Sequence, residues 1–225
     1  MNTEPYTGER RDLKALFHCD DWISSFRALQ GNIRDIKPGD FIRFPVKVSD
    51  ARFGDMKFEA LDLVNTEAVV VQVSKDKVIF NFEEVLFYSA INSERTSEGG
   101  FSKSVLSAYL NEKFIDALSP VADILAPNKD GQKITLPTQY EVFGKEEYDG
   151  SGNAVNWEDE PRQFEYFKNI KNRIRAKDND TKWWWLSTPH AAFSTYFCYV
   201  GSYGIAHGGH ASNGAGGVSP AFCIA

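Results

Sequence analysis

Apolar residues recur at two spacings along the chain, and each spacing predicts a different kind of element. Residues 12–29 place large apolar side chains at near-helical intervals, which predicts one or two short amphipathic helices. Runs rich in β-branched and aromatic residues follow at 41–46, 68–73 and 77–82, which predicts strands. The polar stretch 74–76 between the last two runs is typical of a hairpin turn. We therefore expect a helical arm followed by a β-rich region.

Two helices are predicted in the middle of the chain. The spacing at 102–118 predicts a helix that begins at Ser102 or Ser104 and packs on the sheet. The stretch 135–143 predicts the end of a strand that enters a short helix, with Thr138 as its N-cap and a glutamate three residues on.

A polar loop is predicted at 144–161. The spacing at 164–174 indicates another helix, which ends before 178–180. The hydrophobic run 183–186 then predicts a strand. We expect this strand to stop at 187–189, because proline lacks the N–H that a central ladder needs.

The C-terminal part alternates between two kinds of side chain. Along 197–207 the even-numbered residues are mostly small and the odd-numbered residues are chemically mixed. This predicts a strand, broken near Gly204, with one packed face and one displayed face. The mostly apolar run 218–224 predicts a closing strand, central in its sheet and beside the strand at 183–186. The displayed face would carry Tyr199, Gly201, Tyr203, Ile205 and His207.

Composition and charge bound the size of the core and the class of partner. The chain has 225 residues, of which 42% are hydrophobic and 14% aromatic. It can bury a sizeable core, and we favour one domain at 35–225 preceded by a helical arm at 1–34. The formal net charge is −6, and acidic residues flank the short basic stretch 168–177. A nucleic-acid partner is therefore not expected.

The N-terminus and the cysteines exclude other classes. The first eleven residues contain no apolar segment of the kind that a secretory signal needs. No window reaches the roughly 18 consecutive apolar residues of a membrane span, so neither a signal peptide nor membrane insertion is expected. Cys19, Cys198 and Cys223 are too few and too irregularly spaced for a disulfide framework or a zinc site. We expect each to be a small buried hydrophobe.

The segment 183–225 contains no Lys, Arg, Asp or Glu, although 25% of the whole chain is charged. Within 186–225, Lys, Glu, Gln, Met and Trp are all absent, and these are the residues that codons of the form NNC cannot encode. Randomised adenines in AAC codons would give this alphabet, which is how diversity-generating retroelements rewrite the end of a gene. The abundance of Tyr, Phe, His, Ser, Asn and Gly is typical of a recognition surface.

Three stretches near the C-terminus form one pattern: Trp184 to Pro189, then Phe197, Cys198, Val200, Ser202 and Gly204, then Gly217 to Ile224. The pattern resembles the terminal repeat of C-type-lectin-fold variable proteins served by diversity-generating retroelements. Residues 106–114 and 136–141 resemble an associated domain of phage and gut-bacterial proteins, and the resemblance covers roughly 38–225. Ser187 and Ser219 stand where the usual pattern has arginines.

The resemblance implies an α+β protein with a C-type lectin-like fold, of the formylglycine-generating-enzyme-like variant, with an N-terminal helical and β extension. It also implies a hypervariable C-terminal region at about 186–225. The framework positions would be Trp184, Trp185, Leu186, Phe197, Cys198, Val200, Ser202, Gly204, Ala211, Val218, Pro220 and Phe222. The variable, ligand-binding positions would be Phe193, Thr195, Tyr196, Tyr199, Gly201, Tyr203, Ile205, His207, Gly208, Gly209, His210, Ser212, Asn213 and Ala215.

The function that the resemblance implies is receptor recognition by a hypervariable protein. The expected partner is a protein or glycan ligand on a cell surface, with Tyr196, Tyr199 and Tyr203 as the strongest contacts. Without a signal peptide, a phage virion tail tip or the bacterial cytoplasm is the expected setting. No cofactor, metal or catalytic residue is expected, and a homo-oligomer is left open.

Other interpretations stay open. The aromatic face would be ordinary core if it were buried. His207 and His210 are candidate zinc ligands, although a zinc site needs three or four ligands and the segment has no carboxylate. The run 156–161 faintly resembles a calcium-binding lectin loop, and we favour a solvated acidic loop there. An oxidase of the formylglycine-generating type, metal- or cysteine-dependent, would use Cys198 and Cys223, which we expect to be structural. A structural virion protein is a further alternative.

Overall fold

The computed structural model describes residues 9–144, 156–158 and 162–225. Within these ranges the protein is an α+β molecule with many strands and few helices. Its α-helices are α1 (Leu13–Leu16), α2 (Trp22–Gly31), α3 (Val105–Glu112) and α4 (Gln139–Phe143). Short 3₁₀ helices lie at Ile33–Asp35, Phe101–Lys103, Phe114–Val121, Glu165–Lys168 and Ile170–Arg173.

The strands form two larger sheets and two small hairpins. In chain order they are β1 (Phe41–Val48), β2 (Ala51–Phe53), β3 (Met56–Phe58), β4 (Leu61–Val73), β5 (Val78–Phe82), β6 (Phe87–Tyr88), β7 (Ile134–Thr135), β8 (Arg175–Lys177), β9 (Asp180–Lys182), β10 (Trp184–Pro189), β11 (Tyr196–Val200), β12 (Ala206–His210), β13 (Gly217–Val218) and β14 (Ala221–Ile224). The first sheet has the order β1–β4–β5–β14–β7, and the second has the order β12–β11–β10–β13–β6. One sheet curls into a half-barrel. β2–β3 and β8–β9 are separate hairpins.

Phenylalanine rings fill the core on one face of the first sheet. The rings of Phe80 on β5 and Phe222 on β14 stack with centroids 5.3 Å apart and an interplanar angle of 10°. Phe44 on β1 lies 5.7 Å from Phe82 on β5. All four side chains are buried. Interlocked rings of this size bury a large apolar area, so they stabilise both the sheet and its register.

The N-terminal arm packs into the same core. Asp21 caps α2 by accepting a 2.8 Å hydrogen bond from the Ser24 N–H. Phe26, one turn further on, is fully buried. Its ring meets Phe80 at 5.3 Å and Phe222 at 5.8 Å, both edge to face. The arm therefore covers part of the first sheet.

Local capping signals in the sequence are confirmed. Thr138 Oγ1 accepts a 3.1 Å hydrogen bond from the Glu141 N–H, and Glu141 Oε2 accepts a 2.7 Å bond from the Thr138 N–H. This reciprocal pair is a capping box at the start of α4. Ser104, one of the two predicted caps, begins α3. The predicted turn at 74–76 joins β4 to β5.

Two predicted helices differ from the structure. α3 is shorter than predicted, because Lys113 leaves helical geometry at φ −126°, and Phe114–Val121 continues as a 3₁₀ helix. The stretch 164–174 is largely helical, as predicted, but it is not a single helix. Two 3₁₀ helices form there instead, because the Asn169 backbone between them is extended and its side chain accepts a hydrogen bond from a nearby backbone N–H.

The closing strand predicted at 218–224 is divided between the two sheets. β13 runs parallel to β10, whereas β14 pairs with β5 and β7 in the first sheet. The prediction that the whole run lies beside the strand at 183–186, which is β10, is therefore wrong for β14. Pro220 interrupts the run because it has no N–H to donate. Between β13 and β14 the chain crosses from the second sheet to the first. Buried Asn81 stabilises this crossing, since its side-chain amide donates to the carbonyls of Ser219 and Pro220 at 2.9 Å each.

The strand predicted at 183–186 is longer than expected. β10 continues to Pro189, so the predicted stop at 187–189 is wrong. Its register against β11 shifts between Trp185 and Pro189. Ser187 donates its N–H to the carbonyl of Pro137 at 3.0 Å instead. Residues 186–188 therefore have no partner on β11, and pairing resumes at Pro189 opposite Phe197.

Candidate ligand-binding site

A hairpin replaces the single strand predicted at 197–207. β11 and β12 pair antiparallel, with Tyr196 opposite His210 and Val200 opposite Ala206. The chain reverses through Gly204, which has φ +80°. A Cβ added at this position would lie 2.8 Å from the carbonyl oxygen of Ile170. The break predicted near Gly204 is therefore a complete reversal that requires glycine.

Most of the predicted variable positions are accessible to solvent, and most of the predicted framework positions are buried. Thirteen of the fourteen variable positions are at least partly exposed, and Gly201 is buried. Eleven of the twelve framework positions are buried, and Ser202 is partly exposed. Among the variable positions, the large apolar side chains of Tyr203, Phe193 and Ile205 are 78%, 54% and 45% exposed.

The variable positions lie on both faces of the hairpin. Successive residues of a strand point to opposite faces, so Tyr196 shares a face with Cys198 while Tyr199 shares a face with Phe197. β12 is the edge strand of its sheet, and each face of it is partly exposed. Along 199–207 the predicted pattern of exposure is largely present, since the odd-numbered residues other than Gly201 are at least partly exposed and Val200 and Gly204 are buried, but the variable positions are not confined to one face.

One face of the hairpin carries a row of rings that begins at Trp183. Trp183 lies 4.6 Å from Tyr199, which stacks on His207 at 5.4 Å and 24°. Burial raises the pKa of Tyr199. A cleft of about 580 Å³ lies beside Trp183. It is lined by Tyr88, Thr181, Lys182, Trp183, Ser202, Gly214 and Ala215.

The opposite face carries a second ring cluster. Tyr196 lies 4.3 Å from His210 and 5.2 Å from Phe193, and Phe193 lies 4.9 Å from His190. Burial lowers the pKa of His190, so its ring is neutral at pH 7. A cleft of about 680 Å³ adjoins this cluster. It is lined by Arg95, Thr96, Ser97, Glu98, Pro189, His190, Ala191, Ala192, Ser194 and Thr195.

Sequence reasoning did not identify all the residues of these two surfaces. Tyr88 and the loop 95–98 come from a distant part of the chain, and no local pattern marks them as neighbours of the hairpin. Ser97 fixes the second cleft, because its N–H and its hydroxyl both donate to the carbonyl of Ser194 at 2.8 and 2.9 Å. Trp183 could have been identified from the sequence, since it is the first residue of the charge-free segment 183–225.

Two glycines at predicted variable positions are packed against rings. A Cβ at Gly208 would lie 2.5 Å from Cδ2 of His190, and one at Gly209 would lie 3.2 Å from Cε1 of Tyr199. A larger residue at Gly208 therefore requires the His190 ring to move. At Gly209 a shift of a few tenths of an ångström suffices.

The loop after β12 is held to the scaffold by its backbone. The carbonyl of Ala211 accepts hydrogen bonds from the N–H groups of Ile91 and Asn92 at 2.8 and 3.1 Å. Asn213 Oδ1 accepts from the Ala215 N–H at 3.0 Å. The partly or fully exposed side chains of Ser212, Asn213 and Ala215 are thus displayed on a loop anchored by main-chain contacts.

The buried thiols lack the features of reactive cysteines. Cys198 and Cys223 are 1% and 0% exposed, and burial raises the pKa of each to about 12. Cys198 Sγ contacts Gln139 Oε1 at 3.3 Å. A thiol of this kind stays protonated, whereas a nucleophilic or metal-binding cysteine is a thiolate. Cys19 is only partly buried, which departs from the prediction for it. Among the described residues, no three His, Cys, Asp or Glu side chains group as metal ligands would.

The interpretation of 156–161 as a solvated acidic loop is wrong for its described part. Asn156 and Glu158 are each 6% exposed. Asn156 donates its N–H to Glu141 Oε1 at 3.1 Å and its side-chain amide to Glu141 Oε2 at 2.8 Å. Glu158 accepts a hydrogen bond from the Ser74 hydroxyl. These contacts tie the segment to α4 and to the β4–β5 turn. Residues 159–161 lie outside the described residues.

The chain belongs to the family described as a domain of unknown function, DUF6273, whose model matches residues 71–225. This match includes the hairpin, both clefts and the buried network around Glu141. A search of curated proteins and a search of solved structures found no match. In the part of the chain that the structure describes, no helix is long and apolar enough to cross a bilayer.

Proposed function

We propose that this protein is a hypervariable receptor-recognition protein, built on a C-type-lectin-like fold and diversified by a retroelement at the exposed positions of its C-terminal hairpin and loops. One observation carries the proposal. With Gly201 and Ser202 as exceptions, the division into variable and framework positions that the resemblance implies matches the division into accessible and buried residues. An ordinary domain end has no reason to combine this coincidence with an NNC-compatible alphabet over 186–225.

The architecture suits a surface whose side chains change often. Substitution of an exposed side chain usually alters stability by less than about 0.5 kcal/mol, whereas truncation of a buried one costs several times more. Because Phe197 and Val200 are fully buried beside the partly exposed Tyr196 and Tyr199, the hairpin can keep its packing while its surface changes.

The ligand would meet a surface of rings and small polar residues. Tyr196, Tyr199 and Tyr203 offer large contact area at low rotamer cost, and serine, glycine and asparagine around them adapt to the ligand. We propose a protein or glycan on a cell surface as the ligand, with a phage tail tip or the bacterial cytoplasm as the setting.

Two codon libraries test this proposal. NNC codons placed at exposed positions should give mostly folded variants on a display system, and some of them should bind a purified protein bait. The same codons at buried positions should give mostly unfolded variants. Equal loss of folding in both libraries would overturn the proposal. The exposed set is Phe193, Tyr203, Ile205, His207 and Asn213, and the matched buried set is Leu186, Phe197, Val200, Val218 and Phe222.

A further inference from the structure

β12 is the edge of the second sheet and pairs only with β11. Two hydrogen bonds fix which of its backbone groups face β11. The Gly201 N–H donates to the Ile205 carbonyl at 2.7 Å, and the Ala211 N–H donates to the Thr195 carbonyl at 2.9 Å. Hydrogen-bonded and non-hydrogen-bonded pairs alternate along an antiparallel ladder. The residues of β12 that bond to β11 are therefore 207 and 209.

The other residues of β12 direct their backbone groups away from the sheet. These are Ala206, Gly208 and His210. Within the described residues, the His210 carbonyl accepts a hydrogen bond from the Asn213 N–H at 2.9 Å, and no partner occurs for the remaining outward groups. Three N–H groups and two carbonyls are thus left, at the two-residue repeat of an extended strand, roughly 7 Å apart along the edge.

Nothing in the sequence of β12 blocks this edge. Natural edge strands are commonly protected by charged residues, proline or a bulge. Ala206–His210 contains neither charge nor proline, and its register with β11 is regular. Gly208 and Gly209 at its centre carry no side chains of their own, although the rings of His190 and Tyr199 pack against them.

We propose that this edge binds an extended, uncharged segment of a polypeptide ligand, which adds to the second sheet as a further strand. This inference rests on the proposed function and narrows its ligand from protein or glycan to protein. The free groups are those that another extended backbone satisfies. The rings of Tyr196 with His210 and of Tyr199 with His207 lie on opposite faces, where they contact alternate side chains of the added strand.

A second copy of this chain fits the edge less well. Two copies of β12 paired antiparallel would place Gly208 against itself and Ala206 against His210. Cross-strand side-chain pairs supply much of the stability of a strand pair, and glycine and alanine supply little. Larger side chains on a ligand strand would supply cross-strand contacts that a second copy of β12 does not. The charge-free segment 183–225 favours an uncharged ligand strand.

Backbone pairing also suits a surface that is diversified. Main-chain hydrogen bonds do not depend on which side chains the chain carries. They would give every variant a common contribution to affinity, while the side chains around the edge set the specificity.

The test begins with a ten-residue peptide selected from an uncharged display library against the full chain. Versions N-methylated at every second residue are then compared. Methylation in one alternation should abolish binding, and methylation in the other should leave it intact, because only one edge of an added strand faces β12. Binding should also slow hydrogen exchange at the Gly208 amide. Failure to select a peptide, or equal effects of the two methylation patterns, would overturn the proposal.

Variants of the chain locate the contact. Ala206→Pro removes an outward N–H and no ladder bond, and should weaken binding about tenfold, whereas Ala206→Val should bind as the parent does. Thermal unfolding checks that both variants fold. If Ala206→Pro does not fold, the comparison of methylated peptides still tests the proposal. A dimer in analytical ultracentrifugation that Ala206→Pro abolishes would assign the edge to a second copy and overturn the proposal. If Tyr203→Ala weakens binding while a folded Ala206→Pro does not, side-chain recognition stands and the edge proposal fails.

Discussion

Glu141 combines two roles that its position in the sequence suggested only in part. The spacing from Thr138 identified a capping box, and the structure confirms it. The spacing could not show that Asn156, fifteen residues later, would donate two further hydrogen bonds to the same carboxylate. Burial raises the pKa of Glu141 to about 7, although these N–H donors favour the ionised form and oppose the rise. Glu141 is therefore both a member of the capping box and a titratable group in the core.

The raised pKa predicts a loss of stability at neutral pH. A carboxyl whose folded pKa lies above its unfolded value contributes stability that is complete below about pH 4.5 and is lost as pH rises through about 7. The free energy of unfolding should fall over this interval by an amount on the order of 3 kcal/mol. Urea titrations at several pH values measure it. Glu141→Gln should flatten this dependence, and an unchanged pH profile in that variant would assign the titration to another group.

Among the secondary-structure elements, those with strong local patterns could be predicted from the sequence. Elements that form only by pairing with residues far along the chain were missed. The strands at 41–46, 68–73 and 77–82 are present because alternating or continuous apolar residues mark them locally. β6, β7 and β13 have two residues each, and they exist only because a neighbouring strand supplies hydrogen bonds. The alternation of odd- and even-numbered residues at 197–207 identified extended backbone. The same alternation continues through the tight turn, so it did not reveal the hairpin.

The β11–β12 turn makes a prediction about its glycine. Gly204→Ala should lower the free energy of unfolding by at least about 1 kcal/mol, because alanine is strained at φ +80° and its Cβ would press on the Ile170 carbonyl. Gly214→Ala is the matched control, since nothing lies within 4 Å of its added Cβ. Chemical denaturation compares the two variants. Equal stability would mean that the turn does not depend on left-handed backbone.

At the scale of the molecule, the two sheets and the N-terminal arm share residues of one core. The chain crosses between the sheets at Ser219 and Pro220, and Asn81 fastens that crossing. Buried Arg175 on β8 donates from Nη2 to Asn81 Oδ1 at 2.7 Å, so its guanidinium lies beside the crossing. Neither the crossing nor this contact has a local signal, because both depend on residues far apart in the chain.

Contacts between the arm and the first sheet predict cooperative unfolding. Phe26→Ala should cost about 3–5 kcal/mol, because its ring packs against Phe80 and Phe222 in the core. Arg27→Ala removes a surface ion pair with Asp123 and should cost far less than Phe26→Ala, because solvent screens exposed charges. Far-UV and near-UV circular dichroism should report a single transition in each protein. A separate early transition for the arm would show that it folds independently.

Diversification of the exposed positions of the C-terminal segment is the central proposal. The DNA beside the gene tests it most directly, by the presence of a reverse-transcriptase gene and of a near copy of the codons for Trp184 to Ile224. We predict a copy that differs from the gene where the copy has adenine, with the differences at the exposed positions from Phe193 to Ala215. A locus with no copy and no reverse transcriptase, or a copy whose differences fall on buried positions such as Phe197 and Val200, would contradict it.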